Sequence, residues 1–148
     1  MIGSPRETRV ALSEQVSELS QLAPEQYDAE ALAQVGRTFT YTVSLDEIQE
    51  LIWVYGWCAT TRNILEQNLE HMTIEFLAND TVVDARQLYV FDGQSQDLEC
   101  RFHTAVVYDW PTGTTTLETH VTFNEKINDG LSDYPEGAQI LLYTVTAP

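Results

Sequence analysis

Two periods divide the chain. In the first 36 residues the apolar positions Leu12, Val16, Leu19 and Ala23 recur at helical spacing, with Ser13, Glu14, Ser17, Glu18 and Gln21 on the other face. Pro24 ends that segment or opens a second short helix as its first residue, and Gly36 is a stop. From Arg37 onward the period is two. Phe39, Tyr41 and Val43 alternate with Thr38, Thr40 and Thr42, which predicts a half-buried strand. The run Leu51 to Ala59 reads as a more fully buried strand, and Thr61 is a cap for a short helix bearing Ile64, Leu65 and Leu69. Met72, Ile74 and Phe76 lead to an Asn79-Asp80 turn and Thr81-Val82-Val83, a hairpin pattern. Residues 92–97 read as a loop.

The longest alternation sets Cys100, Phe102, Thr104, Val106, Tyr108 and Trp110 against Arg101, His103, Ala105, Val107 and Asp109. Pro111-Thr112-Gly113 turns the chain, and Leu117, Val121 and Phe123 give the apolar face of a return strand. Matching the faces of a hairpin predicts Phe102 opposite Phe123, Thr104 opposite Val121 and Tyr108 opposite Leu117. A last strand runs from Gln139 to Thr146. The fold expected is all-β: an immunoglobulin-like β-sandwich of about seven strands over residues 37–148, after a partly helical N-terminal arm over residues 1–36. Two immunoglobulin hallmarks are missing. No Trp lies between Cys58 and Cys100, and Leu98 stands two positions before the second cysteine where a Tyr would be.

Composition narrows the function. The 148 residues are 43% hydrophobic, enough for one ordinary core. Seven Lys and Arg face 23 Asp and Glu, a net charge of -16, which repels nucleic acid and anionic lipid. The longest apolar run, around Leu51 to Ala59, is too short to span a bilayer. The first residues do not read as a signal peptide, leaving either a start at Met1 or a mature fragment. Cys58 and Cys100 are too far apart in sequence for a metal knuckle or C-x-x-C pair, and form either a buried disulfide or two inert thiols.

Tyr55-Gly-Trp-Cys-Ala59, Ile64-Leu-Glu-Gln-Asn-Leu69, Asp109-Trp-Pro-Thr-Gly113, Ile127-Asn-Asp-Gly130 and Asp133-Tyr-Pro-Glu-Gly137 together resemble poorly characterised secreted domains of bacterial surface lipoproteins, especially of Chloroflexi. The resemblance spans roughly residues 38–146. It implies an extracellular β-sandwich with a Cys58–Cys100 bridge, and no particular activity.

Candidate chemistry is sparse. In the expected hairpin His103, His120 and Glu118 share an outer face, fewer ligands than a zinc site holds. Asn128, Asp129, Asp133 and Glu136 form the densest acidic loop and are the calcium candidates, with Asp92 and Asp97 a second group. Asn-Asp-Gly and Tyr-Pro-Glu-Gly also satisfy turn geometry alone. Trp110 and Tyr134, beside proline and turn residues, are the expected exposed aromatic pair for stacking a sugar. No G-x-S-x-G elbow, His-Glu-x-x-His or phosphate-binding glycine loop occurs. Asn79-Asp80-Thr81 matches a glycosylation acceptor but reads more simply as a turn.

The reading is a non-catalytic extracellular module with no cofactor, built for surface interaction or as a subunit of an envelope assembly. It would use a protein partner or self-association through edge strands and the arm. Two alternatives are a calcium- or glycan-binding module and an intracellular phage or virion accessory protein with free thiols.

Overall fold

The run Arg37-Thr-Phe-Thr-Tyr-Thr-Val-Ser44 is β-branched or aromatic at most positions, which suits a pleated, half-buried surface. It forms β1 (Arg37–Ser44) in a computed structural model that describes residues 1–148. Three helices precede it: α1 (Pro5–Ser13), α2 (Leu19–Leu22) and α3 (Ala29–Leu32). After it come β2 (Leu51–Ala59), α4 (Arg62–Glu70), β3 (Met72–Ala78), β4 (Thr81–Val82) and a 3-10 turn at Ala85–Gln87. The remainder is β5 (Tyr89–Ser95), β6 (Leu98–Val107), β7 (Gly113–Phe123), β8 (Ile127–Asn128), β9 (Asp133–Tyr134) and β10 (Gly137–Ala147).

The chain is mostly β, with a five-stranded sheet (order β1-β10-β7-β3-β4) packed on a three-stranded one (β2-β6-β5), and β8-β9 pairing separately. Such packing is compatible with a β-sandwich. β1 runs parallel to β10, Arg37 beside Gln139 through Ser44 beside Thr146, so the first long strand is held by the last. Between the sheets lie Val43, Leu51, Trp53, Phe76, Leu117, Val121, Phe123 and Val145, each at most 1% exposed.

Local signals account for the connections. Asn79 and Asp80 both have positive φ, as a two-residue type I′ hairpin turn demands. Gln96 and Asp97 do the same between β5 and β6. The expected loop over 92–97 is therefore mainly strand, closed by a tight turn without the usual glycine. Thr61 caps α4 by accepting from the Ile64 N–H, as its sequence predicts.

Two expectations are corrected. The hairpin of the 100–110 and 113–123 segments does not form, because the chain leaves one sheet for the other at Tyr108–Thr112. Phe102 lies beside Gly56 and Phe91, while Phe123 lies beside Met72 and Gly137. The alternation misled because Thr104, Ala105, Val106 and Val107 are all buried, so neither face of that stretch is the wet one. Val107 joins the inter-sheet core, whereas Val106 sits under Ala11 of α1 with Ile52.

The arm is the other correction. The helix centred on Leu12 to Ala23 breaks at Gln15, whose φ is positive, and the longest helix starts earlier, at Pro5. Ser4 accepts from the Glu7 N–H while the Glu7 carboxylate accepts from the Ser4 N–H, a capping box with proline at the first helical position. The segment is packed rather than solvated. Gly3 N–H donates to the Val106 carbonyl, Ile52 N–H donates to Ser17, and Leu19 enters the core at 1% exposure. Tyr27 and Glu25 bond the outer edge of β1 at Thr40 and Thr42.

Leu19→Ala is expected to destabilise the whole protein by about 2–5 kcal/mol, the range for emptying a buried leucine site. Urea unfolding followed by tryptophan fluorescence measures it. A change well below 1 kcal/mol would mean the arm is not integral to the core.

Candidate interaction surface

The register of β2, β6 and β5 decides which side chains share a face. Cys58 lies directly opposite Cys100, with Cα atoms 4.1 Å apart, and the two form a disulfide. That bridge joins neighbouring strands of one sheet instead of linking the two sheets. So close a pair is a non-hydrogen-bonded one. The even-numbered residues of β6 therefore turn their N–H and C=O groups away from β2, as the Gly3-to-Val106 bond independently requires. On β5 it follows that Tyr89, Phe91 and Gly93 bond β6, while Val90, Asp92 and Gln94 direct their backbone groups outward. These last three are exposed.

The outer face of this sheet changes character along its length. At one end α1 covers Ile52 and Val106, and the Thr8 hydroxyl accepts from the Val106 N–H at 3.0 Å. Towards the other end, past the flank where α1 approaches β5, the same face carries Tyr89, Phe91, Phe102 and the disulfide. Tyr89 and Phe91 stack with centroids 5.5 Å apart, and Phe91 and Phe102 lie 5.3 Å apart. Phe102 lies over Gly56, where an added Cβ would come within 2.8 Å of its ring. All three rings are half-buried, and no charged residue of β2, β5 or β6 points to this face.

The inner side of the same strands is polar at its margin. Arg101 grips Asp92 with Nε at 2.7 Å and Nη2 at 3.0 Å, and Arg62 reaches the same carboxylate at 2.8 Å. The Arg101 hydrogen bond is the main reason that the Asp92 carboxyl is held below its ordinary range. His103 is half-buried opposite Tyr55, with Nδ1 buried and unpartnered. Burial first, then the Arg101 charge, lowers its pKa.

The residues singled out from sequence scatter. Cys58 and Cys100 come together. Trp110 is only 4% exposed, and its Nε1 donates to the Gln49 carbonyl at 2.8 Å. Tyr134 is half-buried against Trp57, ring centroids 4.7 Å apart, and burial pushes its hydroxyl up to about 12. Gln49 precedes the start of β2 and Trp57 lies near its far end, about 20 Å along the strand from Leu51. Trp110 and Tyr134 thus form no common platform, a correction to the expected exposed pair, because each ring finds an apolar neighbour.

In the acidic loop the side-chain oxygens serve the turn. Asn128 Oδ1 accepts from the Gly130 N–H at 2.7 Å, and Asp129 Oδ1 accepts from Leu131 and Ser132 at 2.8 Å each. Asn128 Nδ2 donates to Asp133, and Glu136 is exposed. Gly130, at φ +98°, presses on Thr60 where any Cβ would clash. No three His, Cys, Asp or Glu side chains gather as metal ligands. His120 bonds Glu118 on β7 at 3.2 Å, in the other sheet from His103. The signals that sequence reasoning missed are Tyr89, Phe91 and Phe102, which the mistaken loop and hairpin had separated.

No protein-family model matches the chain, and no curated protein matches it significantly. Among solved structures it is similar to Plasmodium falciparum protein Pf12p, with a TM-score of 0.38 and 5% sequence identity, over 74% of this chain and 42% of that one. The chain thus spans about two fifths of that protein.

Replacing both Cys58 and Cys100 by alanine is expected to cost roughly 4 kcal/mol in urea unfolding by the chain-entropy model. A loss under about 1 kcal/mol would show that the sheet needs no staple. For His103, the folded protein favours the neutral ring while the unfolded chain takes up a proton near pH 6.5. Its contribution is complete above that pH and is lost as pH falls towards the lower folded-state value. The unfolding midpoint is expected to drop between about pH 7 and pH 5, and less so in His103→Gln.

Proposed function

We propose that this chain is a non-catalytic protein-interaction module that works outside the cell, at a surface or as a subunit of an envelope assembly. The observation that carries this reading is the uncharged aromatic face of Tyr89, Phe91 and Phe102, beside an unpaired strand edge, in a protein of net charge -16. A patch of that kind is costly in water unless it is covered, and a partner is the ordinary cover. The disulfide supports an oxidising compartment, since cytosolic thiols are kept reduced. Kinship with secreted lipoprotein domains, drawn from the Tyr55–Ala59 and Asp133–Gly137 motifs, belongs to the same proposal.

So does the immunoglobulin-like description. Two packed sheets and a first strand parallel to the last support it. The disulfide within one sheet sets this chain apart from antibody domains.

Two measurements on the producing cells test the reading. Protease added to intact cells is expected to digest the protein without lysis; digestion only after lysis would overturn the location. A photoreactive residue at Val90 is expected to cross-link to protein, with loss of the adduct in Tyr89→Ser/Phe91→Ser and little change in its melting temperature. Absence of every adduct, to itself or to another protein, would overturn the interaction role.

A further inference from the structure

Building on that interaction reading, we propose that the partner of β5 is a second copy of this chain, paired antiparallel to it across a two-fold axis at Asp92. The other sheet edges are short or occupied in part, β2 being bonded at Ile52 and open at Val54, Gly56 and Cys58. Glu25 and Tyr27 cap β1, β4 has two residues, and Ser17 and Glu18 bond the start of β2. Beyond β5, the line alongside β6 is filled by Met1–Gly3. β5 presents a seven-residue strand with outward backbone groups at Val90, Asp92 and Gln94, directly beside the aromatic face, and it contains no Lys, Pro or bulge to discourage pairing.

The strand is complementary to itself. With Asp92 on the axis, Val90 lies opposite Gln94 of the other copy, and Phe91 lies opposite Gly93. The second pair repeats what the sheet already does at Phe102 and Gly56, where a ring covers a glycine on the neighbouring strand. The two aromatic patches then form one continuous face across the axis.

Charge also selects this edge. Two copies of net charge -16 repel, so contact is favoured where acid is locally balanced. Asp92 is such a place, because Arg62 and Arg101 both bond its carboxylate. At the axis two carboxylates meet four guanidinium groups. Because the contact is isologous it closes at two copies, whereas β5 against the β2 of another copy would propagate.

Light scattering and sedimentation of the whole oxidised chain test the proposal. The expected mass is twice 16.8 kDa, with the dimer tightening as salt rises because the remaining acid-on-acid repulsion is screened. Val90→Pro removes an outward N–H that β6 does not use, and Gln94→Lys keeps every backbone group but puts a cation on the edge. Each is expected to weaken dimerisation on the order of tenfold or more while the fold is retained. A chain that stays at 16.8 kDa at all concentrations overturns the proposal. So does a dimer indifferent to both variants, or a mass that climbs past the dimer. Cross-linking from Val90 to other proteins alone would sink self-pairing and leave the interaction role standing.

Discussion

Thr104, Ala105, Val106 and Val107 are buried in succession, and a strand buried on both faces needs two covers. The five-stranded sheet supplies one. The other is α1, which lays Ala11 on Val106 and Ile52 and places Thr8, wholly buried, to accept from the Val106 backbone. The path of the first 36 residues follows from that. Met1–Gly3 take the side of β6 where β5 has stopped, α1 crosses the outer face, and the chain turns at Gln15. Residues 17–18 then run along β2, Leu19 plugs the gap between the sheets, and Glu25 and Tyr27 finish the edge of β1. An arm so engaged in its own domain is not free to bind a neighbour. Contact with another chain falls instead to β5.

How much of this was legible in the sequence depended on whether each segment had one wet face. β1, β3 and β10 alternate against water or threonine, and their existence was plain. Thr61 and the Asn79-Asp80 turn carry their own local chemistry, so α4 and the β3-β4 hairpin were plain too. β6 failed the test because it is dry on both sides near its end, and a period of two then says nothing about which sheet owns which face. β5 was hidden by Asp92, Gly93 and Gln94, which read as loop residues until Arg62 and Arg101 neutralise the acid and Phe102 covers the glycine. Those are tertiary contacts, and no window of sequence contains them.

The candidate sites divide the same way. The cysteine pair was among the possibilities at the outset and became definite once β2 and β6 lay side by side. Trp110 was taken for exposed because Pro111 and Gly113 follow it, yet a turn fixes only the backbone. The indole folds inward and its N–H finds the Gln49 carbonyl, which makes burial cheap. In the 128–133 loop the same residue types that bind calcium were present, but their oxygens already accept from the backbone. Those bonds account for Asn128 and Asp129 as turn residues.

The position of the disulfide bears on why one end of the sheet can stay uncovered. Under α1 the β2-β6 pair is held by packing on both sides, through Ile52 and Val106. At the other end α4 packs on the inner side, through Asn68 and Trp57, while on the outer side Gly56 and Gly93 contribute no side chains and Phe102 lies across both. With side chains packed on the inner side alone, this stretch has fewer buried contacts than the end under α1, and local opening follows that lack. The Cys58–Cys100 bond stands at that end, joining the two strands directly opposite each other. A covalent tie there replaces the missing layer, and the aromatic face is held in shape before anything docks on it. Binding then loses little to ordering, which is the condition under which a small patch can hold a partner.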